Sequence, residues 1–224
     1  WRKPPVDLDP GTAVDGAVAC CYGGKESYGF HGLEALQCLV ERRKGGETGV
    51  AAVECIEGEA VWRWTGANPW ARRLLEAALD RVPDRPPGAP RAHAPKPVLF
   101  VLDYRDGLRA AVYNLEGYLR TWSVALSLPG RAQPLAAEIW LQPGRPFGHF
   151  ANLCYFIERM MLEGRAPYPV ERTLLTTGVL AAAMDSSHQG NRRLETPHLS
   201  IAYQPPRDSL FARGPVPPLE DPPR

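Results

Sequence analysis

Apolar residues recur along the chain in two periods. Phe30, Leu33, Leu36 and Val40 stand at helical spacing, which predicts a helix over Phe30–Arg43 that Gly45-Gly46 brings to an end. Leu74, Leu75, Ala78, Leu79 and Val82 give a second helix one apolar face, with Asn68 as its N-cap and Pro69 at its first position. Two more helices follow from the same reading: Phe147–Leu162, closed by Gly164, and Val170–His188. Elsewhere the pattern shortens toward alternation. Strands are expected over Ala13–Tyr22, Val50–Trp64, Val98–Tyr104, Leu108–Leu115, Leu119–Leu128, Leu135–Leu141 and, briefly, Leu199–Tyr203. Asp106-Gly107 and Pro129-Gly130 are turn signals inside this strand-rich block, which reads as an antiparallel meander. Strands and helices are grouped rather than alternating, so the expected class is α+β: an open, mainly antiparallel β-sheet with helices on one face. Such a sheet leaves its other apolar face in need of cover, and a homo-oligomer built on that face is expected.

Proline marks the limits of this pattern. Six prolines fall within residues Pro83–Pro97, which predicts an exposed loop inside one domain spanning residues 1–204, and Pro205–Arg224 reads as a loose Pro-rich tail. Hydrophobic residues make up 44% of the 224, enough for a real core, and the net charge is +1. That balance gives no electrostatic basis for binding nucleic acid or an anionic membrane. The longest apolar run, Thr176–Met184, falls well short of the roughly 18 residues that span a bilayer. The five cysteines are odd in number and form no CxxC pair, so they read as reduced thiols of a cytoplasmic protein, with no metal site. The chain opens on Trp1 without a leader pattern, and a preceding segment is expected.

The stretch richest in chemistry is Gly23-Gly24-Lys25-Glu26-Ser27-Tyr28-Gly29-Phe30-His31-Gly32-Leu33-Glu34. Glycines end a strand and open a helix. His31 falls in the first turn and Glu34 three residues later on the same side. An imidazole titrating near neutrality beside an orienting carboxylate can transfer protons, although a histidine at a helix start also serves as a solvated or capping residue. Tyr22 and Tyr28 flank the glycines, where they could line a sugar site or pack in the core. His149, in Pro146-Phe147-Gly148-His149, reads either as a helix-capping surface residue or as a pocket residue. Trp62, Trp64 and Trp70 are read as core or subunit interface.

The segment resembles the motif that opens the C-terminal domain of the Gfo/Idh/MocA oxidoreductases, in which glycines and an Asp precede Gly-x-His-x-x-Asp. Gly29-Phe30-His31-Gly32-Leu33-Glu34 follows that pattern, with Glu34 for the final Asp. The order of later segments is similar too: the Asp106-Gly107 hairpin, the helix ending in Glu163-Gly164-Arg165-Ala166-Pro167, and Ser186-Ser187 followed by Gly190 and Leu194-Glu195-Thr196-Pro197. The resemblance implies His31 as catalytic histidine, Ser27 where the family has its catalytic Asp, Glu34 as a possible substitute carboxylate, and Gly24, Tyr28 and His149 at a substrate pocket. It also implies a small-molecule substrate, a sugar, polyol or related secondary alcohol. NAD or NADP would be bound by an N-terminal Rossmann domain that this sequence lacks, so this chain alone is expected to bind no dinucleotide. The serine in place of the aspartate implies the alternative, a non-catalytic ligand-binding or oligomerisation module.

Overall fold

The computed structural model describes residues 1–220; of the expected Pro-rich tail, residues 221–224 lie outside it. Eight strands form one open sheet: β1 (Arg2–Lys3), β2 (Gly16–Cys21), β3 (Val50–Glu57), β4 (Val98–Tyr104), β5 (Arg109–Asn114), β6 (Trp122–Ser127), β7 (Leu135–Ile139) and β8 (Leu194–Glu195). Their order is β1-β7-β6-β2-β5-β4-β3-β8. Every pairing is antiparallel except β2 with β5, where Gly16 to Cys21 run beside Arg109 to Asn114 in the same direction. The helices are α1 (Ser27–Val40), α2 (Glu59–Ala67), α3 (Pro69–Leu79), the short α4 (Pro90–His93), α5 (Gly148–Glu163) and α6 (Val170–His188). The class is α+β, with an open and mainly antiparallel sheet, as the patterning predicts.

The cover of that sheet differs from the expectation of helices on one face. β2 is buried along its whole length. Its Ala17, Ala19 and Cys21 pack with Leu33, Leu36 and Leu39 of α1 and Leu175 and Val179 of α6. Its Val18 and Cys20 pack on the opposite side with Val61 of α2 and Leu74, Leu75 and Ala78 of α3. A strand between two helical layers meets apolar neighbours on both sides, which is why it reads GAVACC rather than alternating. The expected exposed Pro-rich loop also reaches into this second layer through buried Ala94, beside Val82 just before its first proline. The bare sheet face on which an oligomer was expected is therefore covered. Where the cover ends, Glu54, Asp103 and Arg193 give the sheet a polar surface.

Three elements depart from the patterning for local reasons. The strand expected over Val50–Trp64 stops at Glu57, because Gly58 takes a left-handed φ of 63° and the chain turns into α2 with Trp62 and Trp64 on it. Asn68 joins α2 to α3 and donates its side-chain amide to the Trp64 carbonyl instead of capping α3. Leu199–Tyr203 is no strand: Pro197–Leu199 form a 3-10 turn, and Tyr203 makes a single bridge with Glu47. The described part of the tail is held to the body, with Arg42 donating to the carbonyls of Pro206 and Arg207 and Ser209 donating to Asp7.

α1 lies unusually close to the sheet. A Cβ on Gly32 would come within 2.8 Å of Val112 and 2.9 Å of the Cys21 sulfur, and one on Gly29 within 2.7 Å of the Phe100 ring. These two glycines serve close packing of the helix on the sheet. The far end of α1 is fixed by a buried polar network. Glu41 accepts from Arg172 Nε at 2.8 Å and from the Tyr203 hydroxyl at 2.9 Å, while Gln37 donates to both the Tyr203 hydroxyl and Glu47, which is itself paired with Arg43.

Gly32→Ala should cost about 1–3 kcal/mol through overpacking, whereas Gly66→Ala on α2, with open space at its Cα, should gain about 0.5–1 kcal/mol. Urea denaturation of the two variants checks both signs. Arg172→Leu should cost about 3–5 kcal/mol, since it leaves the Glu41 carboxylate buried without an opposite charge.

Candidate functional site

β2, β3 and β5 run out at one end of the sheet, and α1 begins there. Tyr22 follows the last residue of β2. Gly23 then turns the chain with φ +84°, and no larger residue fits, since a Cβ would fall 2.3 Å from the Tyr28 ring. The Gly23 N–H donates to Glu116, which lies just beyond β5. Lys25 donates to Glu57 at 2.7 Å and to the Ser187 hydroxyl at 2.6 Å, tying the entry of α1 to the ends of β3 and α6. Partial burial pushes the Glu57 carboxyl upward, but the Lys25 ammonium and the Ser187 hydroxyl together hold it below the usual carboxylate range.

Four rings gather over this turn. Tyr22 and Tyr28 lie 5.0 Å apart, Tyr22 and Trp122 5.9 Å, and Tyr28 and His31 5.8 Å. The His31 ring lies nearly flat on Trp122, 5.3 Å away and inclined by 15°. Helix α1 starts at Ser27, earlier than expected, so His31 sits in its second turn rather than its first. The imidazole is exposed, and among the described residues no hydrogen bond engages its ring nitrogens. The arrangement offers a flat aromatic surface with a free proton donor–acceptor at its edge.

The other expected site residues are placed unevenly. Ser27 is exposed at the head of α1, its hydroxyl facing Gly24, and Tyr28 is part of the aromatic group. Glu34 turns away from this group: its carboxylate accepts from the Thr176 hydroxyl at 2.5 Å, between α1 and α6. Burial raises its pKa, opposed by the Thr176 bond and by Arg172. His31 and Glu34 therefore do not form the expected pair. His149 is half-buried in the first turn of α5 between the rings of Phe147 and Phe150; its Nδ1 has no partner, and burial lowers its pKa. Its aromatic neighbours are these two rings and not the His31 group. Trp122, Lys25, Glu57, Glu116 and Ser187 were not singled out as site residues. Trp122 stands on a correctly read strand, but only the pairing of β2 with β6 brings it to His31.

The head of α1 does not suit the pyrophosphate of a dinucleotide. The Glu116 carboxylate already occupies the Gly23 N–H, and Glu26 stands at the N-cap position without a side-chain bond to the helix. Among the described residues, no cluster of potential ligands could hold a metal ion, and no helix is long and apolar enough to cross a membrane. No protein-family model matches the chain, and no curated protein matches it in sequence.

Glu34 has a folded-state pKa above its ordinary value, so its ionisation opposes folding. That cost is present at neutral pH and disappears as the pH falls through the raised pKa. Glu34→Gln keeps a carbonyl for Thr176 and should be at least as stable as the parent at pH 7. Its advantage should shrink toward zero at acid pH in denaturation curves measured across the range.

Proposed function

We propose that this chain is the substrate-binding half of an NAD(P)-dependent oxidoreductase acting on a sugar, polyol or related secondary alcohol, with the dinucleotide held by a Rossmann domain joined to it. The observation that carries this reading is the exposed imidazole of His31, flat on Trp122 beside Tyr22 and Tyr28, with its ring nitrogens free of partners among the described residues. Aromatic faces suit the C–H faces of a sugar ring, and an imidazole at their edge can take the hydroxyl proton as the alcohol becomes a carbonyl. Gly24 follows the turn and faces the Ser27 hydroxyl. The Lys25 bridge to Glu57 and Ser187 fixes the backbone that carries the rings, so its role is positional.

A second reading, a ligand-binding module without catalysis, is favoured by one specific observation. Among the described residues no carboxylate is hydrogen-bonded to His31: Ser27 stands where the resembling family has aspartate, and Glu34 is engaged by Thr176.

Activity assays on the protein joined to its dinucleotide-binding half separate the two. Under the oxidoreductase reading, His31→Ala should lower turnover about a hundredfold or more with an unchanged fold, and Trp122→Ala should raise KM more than it lowers kcat. A wild-type protein that binds polyols through Trp122 but turns none of them over supports the module instead.

A further inference from the structure

Of the long helices, α5 alone contributes almost nothing to the core, with only Gly148 buried. His149, Asn152, Phe156 and Met160 are half-buried toward the body of the protein. On the adjoining face Phe150, Cys154, Ile157 and Met161 follow one another at spacings of four, three and four, and all are exposed. Phe150 is 56% exposed, Ile157 44% and Met161 72%, and the flanking Leu153 and Leu162 are 54% and 80%. Polar residues belong on the outer face of a surface helix, and an apolar stripe there marks a contact. The four-three-four spacing is that of a coiled-coil seam.

We propose that this stripe is a homodimer contact, in which a second copy lays its own α5 antiparallel against it about a two-fold axis near residues 155–156. Three features select a second copy in this register. The first is side-chain volume: Phe150 faces Met161 of the other copy and Cys154 faces Ile157, so a ring meets a flexible thioether and a small residue meets a branched one. A parallel arrangement would set Phe150 against Phe150 and Cys154 against Cys154. The second is charge: Glu158, the ionised residue bordering the seam, falls beside Ala151 of the other copy and meets no like charge. The third is area. With about 150–200 Å² for a large side chain in full, the exposed fractions of Phe147, Phe150, Leu153, Ile157 and Met161 amount to roughly 470 Å² per copy. Two copies then bury about 900 Å², the size of a weak, reversible interface. The interface lies on α5, since the sheet faces are already covered by helices of the same chain.

Sedimentation velocity on the 224-residue chain at tens of micromolar should show a dimer. Ile157→Asp, a change at an exposed position, should give a monomer with unaltered circular dichroism and melting. Ile157→Cys should form a covalent dimer on mild oxidation, lost when Cys154→Ser is added, because residues 154 and 157 face each other across the axis. A monomeric wild type, or a dimer that survives Ile157→Asp, overturns the proposal. A dimer in which Ile157→Cys fails to crosslink through Cys154 overturns the antiparallel register. A monomer that instead binds a separately added dinucleotide-binding domain through the stripe overturns the dimer and assigns this face to domain docking. None of these outcomes depends on whether His31 is catalytic.

Discussion

The Glu41 carboxylate and the Arg172 guanidinium meet where neither could stay alone. Both are almost wholly buried, and either one without the other would be a bare charge in a medium that solvates it poorly. Their pairing joins the end of α1 to the start of α6. Through Tyr203 and Gln37 it reaches Glu47, Arg43 and the turn at Asp106, so that both helices, the segment after the last strand and the β4–β5 turn share one set of hydrogen bonds. Apolar packing alone tolerates small slips of a helix along a sheet. A bidentate ion pair does not, because its geometry is fixed in both distance and direction.

α1 is consequently held at both ends, by the Glu41 network at one and by Lys25 at the other. Its middle lies tight against the sheet through Gly29 and Gly32, which allow no sliding without collision with Phe100, Val112 and Cys21. Its other end, tied by Lys25 to Glu57 and Ser187, carries Tyr28 and His31 over Trp122. The aromatic group thus stands on an element whose position is set by neighbouring contacts, and a site built this way keeps its geometry without using the His31 imidazole for structure.

How much of this was legible depended on the range of the interaction involved. The long helices and the meander were readable because one helical face or one alternating run contains its own signal. The strand expected through Trp64 failed because Trp62 and Trp64, two apart, imitate alternation, while Gly58 alone carries the information that the chain has turned into a helix. The second helical layer was implicit in the unbroken apolar run of β2, yet nothing local states to which side α3 crosses. At the site, the glycines, Tyr28 and His31 were found within one short segment. Trp122 was not, because its place beside His31 depends on a strand pairing between distant parts of the chain. Glu34 misled for a different reason: three residues along a helix is about 60° around it, enough to turn the carboxylate from the cleft to α6.

The parallel pairing of β2 with β5 also bears on how the chain is assembled. β2 is complete by Cys21, but its two neighbours, β5 and β6, lie at Arg109–Asn114 and Trp122–Ser127. During synthesis the most deeply buried strand therefore waits, unpaired, until more than half of the chain has emerged. Loop closure over such a distance comes late and slowly, and an apolar strand without partners is open meanwhile to intermolecular pairing. The centre of the finished sheet is thus paired only after β5 and β6 have emerged, and a longer exposure of GAVACC favours intermolecular pairing over correct folding.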